Sequence, residues 1–126
     1  MDNTLIVVGS GSIKLSGCDI QPKDIDIVVN DTTDLERFLD IKKFNTKGIY
    51  TSTGKRAYAS YKGYIIDIFI GEVVSDIDEI DIDGTKVKYQ TLKGYEEYCW
   101  RMVKHHKKRV NKNYIRDKLN VVKKYI

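Results

Sequence analysis

Cysteine is scarce in this sequence. Cys18 and Cys99 are the only two and lie far apart, which excludes a disulfide framework and leaves no CxxC metal pair. Proline occurs once, at Pro22, and the nine glycines are scattered, so there is no linker-rich or low-complexity segment. No apolar run approaches the ~20 residues of a membrane span. The first ten residues, MDNTLIVVGS, carry an early acid and an apolar run of only four residues, unlike a secretory signal. No internal repeat is visible. These absences point to a reduced, cytoplasmic compartment without membrane contact. What is present is a soluble globular balance, 41% hydrophobic and 32% charged over 126 residues, enough for one domain with one core.

Charge is unevenly spread. Residues 86–126 hold 13 Lys and Arg against three acids, Glu96, Glu97 and Asp117, a balance of +10. Residues 1–85 hold 9 against 15, a balance of −6. A basic tail on an acidic body points to a phosphate-bearing partner, weighed against a solvated lysine face.

The pattern predicts a strand over Leu5–Val8 that runs into Gly9-Ser10-Gly11-Ser12, then one or two helical turns within 10–16 closed by Gly17. A second strand covers Ile25–Val29. Thr33 and Glu36 have the spacing of a capping box, which predicts a short helix over 34–42. Strands follow at Lys47–Ser52, Lys55–Tyr61 and Tyr64–Ile70, the last two joined at Lys62-Gly63. Glu79–Ile82 and Thr85–Tyr89 flank Asp83-Gly84, a hairpin signal. From Leu92 the period is helical: Tyr95, Cys99, Met102, His106 and Val110 share a face. After Asn111–Asn113, Ile115, Leu119, Val122 and Ile126 share another. The expected fold is α+β, a small mixed or antiparallel sheet with flanking helices. Residues 1–91 form its core, and residues 92–126 form a basic C-terminal helical pair packed on the same domain.

The most informative segment is Asp24-Ile25-Asp26-Ile27-Val28-Val29. Alternate residues of a strand share a face, so Asp24 and Asp26 project together. Asp67 interrupts the apolar run Tyr64-Ile65-Ile66-Asp67-Ile68-Phe69-Ile70, where burial is costly unless its charge is compensated. If the two strands pair, three carboxylates converge, and divalent cations such as Mg²⁺ satisfy such a cluster best, together with phosphate oxygens and water. Gly9-Ser10, at a strand end and helix start, offers backbone N–H groups and a hydroxyl to an anion.

Together these residues resemble the nucleotidyltransferase superfamily, which includes DNA polymerase beta, CCA-adding enzymes, antibiotic nucleotidyltransferases and small antitoxin-type proteins. The superfamily pattern is a strand ending in hydrophobic-Gly-[Gly/Ser], a short helix, an acid-hydrophobic-acid-hydrophobic strand, and a later strand with a third acid. Here it reads Val7-Val8-Gly9-Ser10, then Lys23-Asp24-Ile25-Asp26-Ile27-Val28-Val29, then Ile65-Ile66-Asp67-Ile68-Phe69. The match covers about residues 5–70, and Ile6–Asn30 looks most like the abortive-infection and antitoxin branch. The resemblance implies a metal-dependent transfer of an NMP from an NTP, such as ATP, to a hydroxyl on RNA or tRNA, a protein or a small molecule. It implies that Asp24, Asp26 and Asp67 are catalytic and hold Mg²⁺ or Mn²⁺, with Asp67 at the acceptor. It implies that Gly9 and Ser10 bind the β- and γ-phosphates. Lys104 is a further candidate for nucleotide phosphate, and Lys104, Lys107 and Lys108 are candidates for holding RNA. The alternatives on the same fold are a non-catalytic nucleotide- or RNA-binding module and an antitoxin-like protein that works through a protein partner.

Competing motifs are weaker. Asp81-Ile82-Asp83-Gly84-Thr85 matches the DxDGT of haloacid-dehalogenase phosphatases, but the upstream stretch is acidic and a hairpin turn is the better reading. Asp76, Asp78, Glu79, Asp81 and Asp83 lack the register of an EF-hand. His105-His106 has no zinc spacing. Tyr95, Tyr98 and Trp100 could stack bases, although helical spacing favours core.

Overall fold

The computed structural model describes residues 4–46 and 51–105, together with residues 113, 116, 117, 119 and 120. The elements are β1 (Ile6–Val8), α1 (Gly9–Leu15), β2 (Asp24–Val29), a 3-10 turn (Leu35–Arg37), β3 (Lys42–Asn45), β4 (Lys55–Tyr61), β5 (Tyr64–Ile70), β6 (Ile77–Ile82), β7 (Thr85–Gln90) and α2 (Leu92–His105). The seven strands form one mixed sheet in the order β3-β4-β5-β2-β1-β7-β6.

Two tight turns shape the hairpins. Lys62 and Gly63 take φ of 48° and 85°, and Asp83 and Gly84 take 50° and 86°. Positive φ at both central residues matches the strand twist of a two-residue hairpin. The DxDGT segment is therefore such a turn, with Asp81 Oδ1 accepting the Gly84 N–H at 2.8 Å.

The centre of the sheet is set by hydrophobic alternation. β2 and β5 lie parallel, with Ile25 opposite Ile66, Ile27 opposite Ile68 and Val29 opposite Ile70. These residues share one face, where Ile27, Val29, Ala57 and Ile68 form a buried cluster joined by Val7, Leu35 and Ile41. A one-residue slip would turn this whole set to the other side, so burial fixes the register. The acids alternate with it and fall on the opposite face. A second cluster lies between the helices: Ile13 and Cys18 meet Tyr95, Cys99 and Met102 of α2. The i, i+4, i+7 spacing of the last three places them on one side of α2. Leu119 joins this cluster. Residues 113, 116, 117, 119 and 120 are helical, whereas Ile115, Val122 and Ile126 of the expected second face lie outside the described residues, as do His106 and Val110.

The segment after β2 differs from expectation. No helix covers 34–42: three residues make a 3-10 turn and Lys42–Asn45 forms edge strand β3. Thr32, not Thr33, holds Glu36; its Oγ1 bonds Glu36 Oε1 at 3.0 Å. Glu36 also reaches forward to Lys43 Nζ at 2.9 Å. Phe38 is 79% exposed while Leu35 and Ile41 already pack on the buried cluster, so a longer helix adds little burial here, whereas β3 gains a backbone ladder on β4. The strand expected at 47–52 is displaced accordingly. Residues 47–50 lie outside the described residues, Thr51 and Ser52 are not extended strand, and β3 is the strand that pairs with β4, Asn45 opposite Lys55.

Candidate active site

The two central parallel strands bring two acids side by side. Asp26 of β2 is the direct register partner of Asp67 of β5, and adjacent strands lie only about 4.8 Å apart. Both side chains leave the same face, opposite the Ile-rich cluster. Burial, the neighbouring Asp67 charge, a hydrogen bond between the two carboxyls, and the more distant Asp24 together push the Asp26 carboxyl up to about 7. Arg56 opposes this shift. A carboxyl buried this close to a second one keeps its proton to higher pH. Asp24 stands at the start of β2, opposite Ile65, and is exposed. The structure thus draws Asp26 and Asp67 together, with Asp24 on the rim.

Gly9 closes in from β1. Val8 is the register partner of Asp26, so the chain leaving β1 passes directly beside that carboxyl. Gly9 takes φ of +62°, and a Cβ there would overlap Asp26 Oδ2. Glycine is required both by the left-handed backbone and by the close approach. Ser10 follows in the first turn of α1, half-buried. Ser12 folds back instead, its Oγ donating to the Gly9 carbonyl at 2.7 Å.

A cleft opens over this face. Gly9 and Asp26 form its floor, while Phe69, Glu72, Gln90 and Tyr98 line its sides. Glu72 is held in place by loop 51–53: its carboxylate accepts from the Ser52 N–H and hydroxyl and from the Thr53 N–H. Tyr98 enters from α2, whose first turn is capped by Thr91, Oγ1 accepting from Gly94 N–H at 3.1 Å. Lys104 is exposed further along α2 and does not line the cleft. Lys107 and Lys108 lie outside the described residues. Tyr95 is buried in the helical core and Trp100 is 52% exposed.

Sequence reading missed Arg56. It sits on β4 beside the acids, Nη2 3.9 Å from Asp67 Oδ1, with its guanidinium over the rings of Phe69 at 4.6 Å and Phe44 at 5.3 Å. The signal was available: the two-residue turn at Lys62-Gly63 pairs Tyr61 with Tyr64, and counting outwards puts Tyr58 opposite Asp67 and Arg56 opposite Phe69. Glu72, Gln90 and Tyr98 reach the cleft only through the sheet order.

Among the described residues, no three His, Cys, Asp or Glu side chains form a metal cage by themselves. The donor set nonetheless fits Mg²⁺, which is commonly bound through one or two carboxylates together with substrate phosphates and water. Two abutting carboxyls, one of them pushed up by burial and then by its neighbour, are a site that a cation would relieve.

No protein-family model matches this sequence, and no curated protein matches it. Among solved structures, the fold is similar to the crystal structure of a protein from Thermotoga maritima described as a putative nucleotidyltransferase, with TM-score 0.64 and 16% identity over 95% of this chain and 84% of the other. At that identity the likeness establishes a shared fold, a mixed α+β chain built on one seven-stranded sheet.

Proposed function

We propose that this chain is a metal-dependent nucleotidyltransferase that moves an NMP from an NTP to a hydroxyl acceptor. The observation that carries this reading is the contact of Asp26 with Asp67 on parallel central strands, with the Gly9 backbone against them, on a fold shared with the Thermotoga maritima protein.

In this reading Asp26 and Asp67, with Asp24 at the rim, hold Mg²⁺ or Mn²⁺. The ion supplies charge stabilisation for the attacking and leaving oxygens. Gly9 and Ser10 bind the terminal phosphates through backbone N–H groups and a hydroxyl. Asp67, offset by Arg56, stands where the acceptor hydroxyl loses its proton. The cleft walls at Phe69 and Tyr98 give the nucleoside an apolar surface. Lys104, and Lys107 and Lys108 beyond it, are assigned to phosphate or RNA.

The test is incubation with each NTP labelled at the α-phosphate, with Mg²⁺ or Mn²⁺, and with total RNA or lysate. Label transfer that Asp67→Asn abolishes is the expected result. Retained NTP binding with no transfer to any acceptor would replace the enzyme by a nucleotide-binding module.

A further inference from the structure

On the face that carries the acids, β4 and β3 add a short strip of rings and cations. Across the register, Lys42, Tyr58, Asp67 and Asp26 form one row on four successive strands. Phe44, Arg56 and Phe69 form the next row, two residues along. Alternation puts both rows on one side of the sheet. Phe44 and Tyr58 are 39% and 46% exposed, and their ring centroids are 6.1 Å apart. The Arg56 guanidinium lies between Phe44 and Phe69, and its Nε is buried without a hydrogen-bond partner. The strip therefore runs from the sheet edge at Lys42, exposed and paired with Asp40 Oδ2 at 3.4 Å, over the partly exposed rings of Phe44 and Tyr58 to the paired carboxyls.

We propose that this strip seats the acceptor: it stacks the last one or two nucleotides of a single-stranded nucleic acid and brings the terminal 3′ hydroxyl to Asp67. The proposal rests on the nucleotidyltransferase reading. Open rings interleaved with cations are how proteins hold single strands, the rings taking base faces and the cations the backbone. Complementarity of charge favours this occupant. Lys42 and Arg56 supply cations for phosphates to draw from their acid partners, Asp40 at 3.4 Å and Asp67 at 3.9 Å, whereas the apolar centre of a protein interface is depleted of charge. A duplex offers no free base faces. From Asp67 to Lys42 is two strand spacings, about 10 Å, which accommodates one or two nucleotides. In the transfer, the 3′ oxygen bonds to the α-phosphorus as the bond to the bridging oxygen breaks. Pyrophosphate leaves with that electron pair, and the hydroxyl proton passes to Asp67.

Fluorescence anisotropy of a labelled single-stranded RNA of about eight nucleotides, at fixed salt with Mg²⁺ and no NTP, reads the strip without turnover. Tyr58→Ala and Phe44→Ala should each weaken binding about 5- to 140-fold, the range of one base–aromatic stack. Tyr58→Phe keeps the ring and should bind like wild type. Both positions are exposed, and equal melting temperatures confirm that the variants fold. A blunt duplex of the same sequence should not compete. Wild-type affinity in Tyr58→Ala, competition by the duplex equal to that of the single strand, or no binding of RNA or of the matching DNA strand would each overturn the proposal. The transferase reading fails separately. An NTP with Mg²⁺ should raise the melting temperature of wild type and Tyr58→Ala alike, and its failure to do so would refute that reading while Tyr58-dependent strand binding still upheld the strip.

Discussion

Replacing Asp26 by Asn removes one of two abutting carboxyls while keeping its size and a donor toward Asp67. In the native apo protein Asp26 is pushed up to about 7, first by burial and then by Asp67. In the unfolded chain it returns to an ordinary value near 3.8. Between these values the native state holds a proton that the unfolded state has released. The associated stability is complete below 3.8 and drains away as pH rises through about 7. Each pH unit is worth 1.36 kcal/mol, so wild type should lose about 2–3 kcal/mol from this group between pH 5 and 8.5. Asp26→Asn has no such group to titrate. It should be more stable than wild type at pH 8.5, and this gap should shrink by about 2–3 kcal/mol on going to pH 5. Urea unfolding of both proteins in EDTA at the two pH values measures the difference, with equal m-values as the check on two-state behaviour. Parallel behaviour, with the gap constant to within about 0.5 kcal/mol, would refute the burial of Asp26 against Asp67.

Gly9→Ala and Gly84→Ala both place a side chain at positive φ, which costs about 1–2 kcal/mol. Gly84 faces open space, whereas a Cβ at Gly9 meets Asp26. Gly9→Ala should therefore melt several degrees lower than Gly84→Ala and lose the NTP-induced shift; equal melting would contradict the close approach. Cys99 is fully buried, and burial pushes its thiol up to about 11, while Cys18 is buried and also raised. Neither should react with an aromatic disulfide reagent in the native protein at pH 8, and both should react in urea; a native thiol titrating at the rate of a free cysteine would refute their placement.

Local chemistry made several elements legible. The alternation in Asp24–Val29 and Tyr64–Ile70 fixed two strands and the faces of their acids, because side-chain direction depends only on the period of two. The Lys62-Gly63 and Asp83-Gly84 pairs fixed hairpin turns, since they tolerate the left-handed backbone those turns require. The Tyr95, Cys99, Met102 spacing fixed the inner face of α2. Where a choice depended on distant partners, the tertiary structure made it. Leu35–Leu39 has helical spacing, yet Lys42–Asn45 is extended because the open edge of β4 offers it a ladder. Asp26 meets Asp67 because β2 and β5 align in parallel to bury Ile25, Ile27 and Val29 against Ile66, Ile68 and Ile70, a pairing across about forty residues. Arg56 reaches the acids through a third strand, and Glu72, Gln90 and Tyr98 reach the cleft through the order of the sheet. Periodicity specifies which way a side chain points; burial of the whole sheet specifies what it meets there.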